Sequence, residues 1–278
     1  MKLKKIMTFA LTAIFAGILF SGCGQDNPAK KEFDKKIGLI AHMNVNENVN
    51  NEILKNIEHR AGTKIAYDLV YFDDLNSLQL GLQSKNIDEM SVYTCVGNYI
   101  AARDPKVEFV KKLPVDLTDA FCCAVREEDA DLKNSVDSAI TSMKDDGTLE
   151  NLVKTYITDL KDEPTAVEIS KIEGADTIKV GITGDLPPLD LVLADGTPAG
   201  FNTAVLAEIS KRIGKNIELI QINSAARAAA LTSKKIDLIF WAVQPANDVI
   251  PANIDKPAGI EFSVPYFKDD VAHLTLKK

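Results

Sequence analysis

Cysteine, histidine and tryptophan are scarce, at four, three and one among 278 residues. No two cysteines or histidines fall in the C-x-x-C or H-x-x-x-H spacing that zinc uses, so neither a metal nor another cofactor is expected. Positive charge is short as well. The 32 lysines and arginines are outnumbered by 40 aspartates and glutamates, a formal net charge of −8. Binding a phosphate backbone needs clustered basic residues, which excludes nucleic acid as the main partner. With 15 glycines and 11 prolines the chain is neither collagen-like nor low-complexity, and its 46% hydrophobic content supports a real core in one or two domains. Only one long apolar run occurs, at residues 6–20. It is shorter than the roughly 20 residues that span a bilayer.

That run follows Lys2, Lys4 and Lys5 and ends in Phe20, Ser21, Gly22 and Cys23. A basic start, an apolar middle and a small-residue end define a cleaved leader. The last four residues resemble the lipobox of bacterial lipoproteins, with Phe20 where leucine is usual. The resemblance implies a lipid on the Cys23 thiol and an extracytoplasmic protein anchored to the bacterial membrane, in the periplasm or at the cell surface. Cys95, Cys122 and Cys123 are an odd set. Cys122 and Cys123 are neighbours on a predicted strand and read as small buried hydrophobes rather than disulfide partners.

The remainder repeats. Ile53, Leu54, Ile57, Arg60 and Gly62 recur in order as Val205, Leu206, Ile209, Arg212 and Gly214. Each set has helical spacing and a glycine where the helix should stop. A strand follows in both copies, then a helix leading to L-x-S-K-x-I-D, at residues 82–88 and again at 231–237. Each copy opens with a strand, at 37–41 and 178–183. Both therefore read β-α-β-α-β, two α/β lobes whose site lies beyond the carboxyl ends of their parallel strands. Asp88 and Asp237, which close the repeated string, read as structural.

Four motifs then carry a family signal: KVGITGDLPPL at 179–189, DGTPAGFN at 195–202, SKKID at 233–237 and FSVPYF at 262–267. In this order they resemble the family 3 extracellular solute-binding proteins, the amino-acid-type receptors of ABC importers. The resemblance implies the type II periplasmic-binding-protein fold, two Rossmann-like α/β lobes joined by a hinge. In the family this stretch is the first lobe. The string MKDDGTLENL at 143–152 is similar to the family's closing segment, so the halves stand in reversed order, as in a circular permutation. The expected organisation is a lipoprotein signal peptide (1–22), a tether (23–36), a second, carboxy-type lobe (37–118) and a hinge strand with closing helices on the first lobe (119–160). A linker (161–175), the first, amino-type lobe (176–267) and a strand returning to the second lobe (268–278) complete it. Thr148 is placed as the cap of the last closing helix. A monomer is expected, with a domain-swapped dimer as the competing account.

Family receptors for amino acids hold the ligand carboxylate with an arginine and the ammonium with an aspartate, a pairing that suits a zwitterion. Here those positions are Asn247 and Tyr93, and the usual aromatic platform is Leu189. The candidate ligand contacts are Asp185, Leu189, Arg227, Trp241 and Gln244 in one lobe, with His42, Asn44 and Tyr93 in the other. Trp241 and Tyr93 offer flat apolar faces with one polar atom each. Arg227 is equally readable as an anion contact or a structural arginine. The expected function is capture of a small polar or aromatic solute, amino-acid-like but not a standard α-amino acid, by lobe closure, with an ABC permease as partner. The alternative is a degenerate receptor-like lipoprotein that binds a protein or acts as a sensor. No base stands beside an orienting partner, so catalysis is not expected.

Overall fold

The structure, a computed structural model, describes residues 34–41, 43, 47–254 and 256–278. The expected leader, Cys23, most of the tether, His42 and Asn44 lie outside the described residues. The chain begins with β1 (Lys35–Ile40), α1 (Glu47–Ala61), β2 (Tyr67–Phe72), α2 (Leu75–Gln83), β3 (Glu89–Tyr93), α3 (Thr94–Arg103) and β4 (Val107–Phe109). Then come β5 (Thr118–Arg126), α4 (Ala130–Asp145) and α5 (Thr148–Val153). After the linker follow β6 (Thr177–Ile182), the short β7 (Asp185–Leu186), β8 (Asp190–Val192) and β9 (Pro198–Ala199), α6 (Phe201–Ile213) and β10 (Asn216–Gln221). The chain ends with α7 (Arg227–Thr232), β11 (Leu238–Pro245), β12 (Ile260–Phe262) and β13 (Phe267–Leu276).

Two parallel cores result. In the leading lobe β2 and β3 flank β1, and in the trailing lobe β10 and β11 flank β6, all in parallel register. Each lobe then receives one antiparallel strand from the other. β5 leaves the leading lobe to pair with β11 and β12, and β13 returns from the trailing lobe to pair with β3 and β4. Midway, β5 and β13 pair with each other from Phe267↔Phe121 to Asp270↔Thr118. Strand order is thus the same on both sides of the hinge, and the described residues cluster as one unit because each lobe is completed by the other's chain. β5 is buried from Ala120 to Arg126, and a strand covered on both faces reads as a continuous apolar run, which accounts for Phe121, Cys122 and Cys123 in sequence.

The repeated string has one physical job in both lobes. Its lysine, Lys85 or Lys234, takes φ of 59° or 62°, reversing the chain after α2 or α7. Its aspartate then clips the turn to the central strand. Lys36 N–H donates to Asp88 Oδ2 at 2.7 Å and Lys179 N–H to Asp237 Oδ2 at 3.0 Å, while each aspartate N–H donates back to the same residue's carbonyl. Between them the isoleucine drops onto a glycine of the central strand. A Cβ at Gly38 would fall on the Ile87 Cδ1 methyl and 2.7 Å from Leu78 Cδ1; one at Gly181 would lie 2.6 Å from Ile236 Cδ1. The helix stops are also shared, since Gly62 and Gly214 both adopt φ of 65° just past α1 and α6. α4 and α5 pack on α6. Thr148 is not the cap expected of it: Gly147, at φ 78°, holds that position, and the Thr148 hydroxyl accepts from Arg212 at 3.0 Å instead.

Overpacking a filled core costs about 1–3 kcal/mol. Gly38→Ala should lose that much in urea unfolding, and adding Ile87→Val, which removes the crowding methyl, should restore at least half of it. Simple additivity of the two losses would show that the glycine is not there for the isoleucine.

Candidate functional site

The crevice lies where β1 and β3 of one lobe and β11 of the other end, against the crossing strands. Its inner cavity, of about 60 Å³, is lined by Leu39, Ile40, Ser91, Val92, Tyr93, Leu186 and Trp241, with Asp119 of β5 and Val271 of β13. Such a volume is small beside the roughly 300–1,000 Å³ of metabolite pockets, so the lobes must part to admit a solute. On the opposite rim a wider groove of about 410 Å³ runs between Asn76, Gln79 and Arg103 on one side and Asp185 and Pro187 on the other.

Trp241 owes its position to a β-bulge. The register of β11 on β5 shifts between Phe240 and Ala242, and Trp241 takes φ of 72°. A bulky residue in the left-handed region is strained by about 1–3 kcal/mol, and bulges of this kind re-aim a side chain. The ring meets Tyr93 edge-on at 6.1 Å and Phe121 at 6.3 Å, and Tyr93 meets Phe121 at 4.6 Å. The Tyr93 hydroxyl donates to Asp119 Oδ2 at 3.1 Å. Only 5% of Trp241 is exposed, and its indole N–H has no acceptor among the described residues. A buried donor left unpaired costs about 1–3 kcal/mol, which a ligand oxygen or nitrogen would recover.

The other expected contacts divide. Asp185 sits at the lobe junction, where its Oδ2 accepts the Leu75 N–H of α2 at 3.1 Å, a hydrogen bond between lobes. Leu189 does not form a platform: it is fully buried in the trailing-lobe core, its N–H held by the Leu186 carbonyl at 2.9 Å, and it lines neither the inner cavity nor the groove. Arg227 is 3% exposed and stands behind Trp241, with its guanidinium 4.8 Å from the ring centre. It donates to the Trp241 carbonyl and to the Ser224 carbonyl, so it braces the bulge instead of facing the cavity. Gln244 is half-buried beside Cys122 and lines neither the inner cavity nor the groove. Asn247 donates to the Asp116 carbonyl at 2.9 Å. Reading the sequence for strand ends missed Asp119 and Val271; both lie on the crossing strands, which were legible as a hinge.

The thiols of Cys95, Cys122 and Cys123 are buried and unlinked, and burial pushes that of Cys122 up to about 12. Among the described residues no group of three or more side chains could hold a metal ion.

Two lobes that trade a strand and enclose a crevice at their strand ends define a type II periplasmic-binding-protein fold. Within it, residues 178–277 match the family model of the bacterial extracellular solute-binding proteins, family 3. Over 101 residues the chain is 30% identical to a probable histidine-binding protein of Campylobacter jejuni, a stretch that is 36% of this chain and 36% of that protein. Among solved structures, the ligand-binding core of GluR0 from Nostoc punctiforme in complex with L-glutamate aligns with a TM-score of 0.38 and 10% identity, covering 88% of this chain and 85% of that one. The P235GK mutant of ArgBP from T. maritima aligns with a TM-score of 0.37 and 17% identity, covering 87% and 81%. No helix of the described residues is long and apolar enough to cross a membrane.

Burial raises the carboxyl of Asp185 above its ordinary range, against the lowering effect of the Leu75 N–H and the Thr183 hydroxyl. The folded chain therefore holds this proton more tightly than the unfolded one, and stability is lost as pH rises through that window. Asp185→Asn keeps an acceptor for Leu75 and removes the charge. Its melting temperature relative to the parent should climb between pH 3 and pH 7, whereas a constant difference would mean that the carboxylate is not strained by the junction.

Proposed function

We propose that this chain is the solute-binding lipoprotein of an ABC importer, a circularly permuted receptor that captures a small polar or aromatic solute by closing its lobes on the cavity between Tyr93 and Trp241. Lipid on Cys23 would hold it at the outer face of the membrane beside its permease. The observation that carries the reading is the Trp241 indole N–H, buried without an acceptor among the described residues on a strained bulge at the lobe junction. Such a donor at the mouth of a two-lobed crevice suits a ligand that supplies the missing acceptor as the lobes shut.

The solute is amino-acid-like but not a standard α-amino acid. No lysine or arginine is among the described residues lining the inner cavity, and Arg227 is turned to the backbone behind it. A free carboxylate would lose its water there for no matching charge. The position that ordinarily supplies the arginine, Asn247, is tied to a loop carbonyl, which favours as second reading a degenerate receptor-like lipoprotein with a protein-binding or sensory role.

A thermal-shift screen over amino acids including histidine, purines, opines and polyamines separates the two. At 100 times its dissociation constant a true solute adds about 2.7 kcal/mol of stability. Trp241→Ala and Tyr93→Ala should each weaken the hit at least tenfold, about 1.4 kcal/mol. A screen with no response favours the second reading, and a hit indifferent to both variants displaces the site.

A further inference from the structure

We propose that the protein binds a neutral apolar group, about the size of an aromatic ring, in a cavity beneath α1, and that the solute enclosed by the lobes carries such a group; the second half rests on the solute-binding reading above.

The cavity measures about 150 Å³ and is distinct from the inner crevice, which it adjoins through Leu39, Ser91, Asp119 and Val271. Its floor is the sheet of the leading lobe, at Ile37, Leu39 and Leu69, and its roof is α1, at Val49, Ile53 and Leu54. Apart from Ile37 these side chains stay half-exposed, although they face one another across the gap. The reason is visible in the counterpart lobe. α6 is clamped by α4 and α5, whereas among the described residues no helix packs closely on α1. The far end of α1 is anchored instead through Ile57, which packs with Ile65 and with Val249 of the trailing lobe. The near end spans a space that nothing in the described chain fills.

The lining selects what would fill it. Among the described residues no lysine or arginine contributes to it, and its charge-bearing members are occupied: His273 pairs with Glu89 at 2.8 Å and Asp119 accepts from Tyr93, while the Tyr71 hydroxyl donates to Asn50 at 2.6 Å. A space of this size lined mainly by aliphatic side chains accepts a benzene-sized guest. Three sources form the wall. Besides the leading lobe and the crossing strands, Val243, Pro245, Ile250 and Ile254 come from the trailing lobe. A guest therefore touches both lobes and both hinge strands, and its binding energy is realised only while the lobes are together. That is how an apolar group on the solute would strengthen closure, while the polar end meets the Trp241 N–H next door.

The test uses toluene and indole as probes on the full chain, read by thermal shift. Saturating toluene should raise the melting temperature by about 2–4 °C. Ile53→Trp and Leu69→Trp, which place a ring in the space from the roof and from the floor, should each abolish the response. Leu80→Trp, on the exposed face of α2 where the leucine is 63% exposed, should keep it. No response in the parent protein, or an equal response in both filled variants, overturns the cavity site. Any solute found by the screen should lose at least tenfold in affinity in Ile53→Trp, and equal affinity there overturns the claim about the solute. A toluene response beside an empty solute screen discards the closure reading, and with it that second claim, while the cavity stands.

Discussion

The structure depends on the antiparallel pairing of β5 with β13. Both strands are donated across the hinge, so neither lobe has a complete sheet without chain from the other. At their crossing Tyr266 N–H donates to the Phe121 carbonyl and Val271 N–H to the Leu117 carbonyl, each at 2.8 Å, and the Thr118 hydroxyl reaches Asp270 at 2.6 Å. Phe121, with no exposed surface, meets Tyr93, Trp241, Tyr266 and Phe267 edge-on. Burying a phenyl ring contributes about 1.5–3 kcal/mol, and each well-placed aromatic pair about 0.5–1.5 more. A dense aromatic cluster thus sits where the two crossing strands meet.

The crossing strands also lock each lobe's turn. Arg126, at the end of β5, donates to the Leu231 and Ile236 carbonyls at 3.0 and 2.6 Å and pairs with Asp237 and Asp129. In the leading lobe Thr275 of β13 does the corresponding work, donating to the Asp88 carbonyl at 3.0 Å. A buried arginine is costly unless its donors are satisfied, and two carbonyls with two carboxylates engage both terminal nitrogens of Arg126, while its Nε has no partner among the described residues. The same turn is therefore braced by a charge in one lobe and by a hydroxyl in the other, a difference invisible in the repeated string itself.

Much of this architecture was legible from residue patterns. The repeat was readable because Gly62, Gly214, Asp88 and Asp237 answer backbone demands that few other residues meet. Burial of Cys122 and Cys123 followed from a strand covered on both faces. The site was less legible. Trp241 and Tyr93, expected from their place at strand ends, do line the inner cavity, but Leu189 is buried in the core, because a position in a motif does not say which way a side chain faces once the neighbouring turn folds. Arg227, for which two roles were open, is turned to the Trp241 carbonyl by a bulge, which depends on register between distant strands. Asp119 escaped because a polar residue at the start of an apolar strand looks like an ordinary boundary.

Native-state hydrogen exchange tests the central claim, that each lobe is finished by the other's strand. The amides of β1, β3 and β13 in the leading lobe and of β6, β11 and β5 in the trailing lobe should open with one shared free energy, that of global unfolding. If the strands of one lobe exchange together at markedly lower cost while those of the other stay protected, the lobes are separate modules and the account fails.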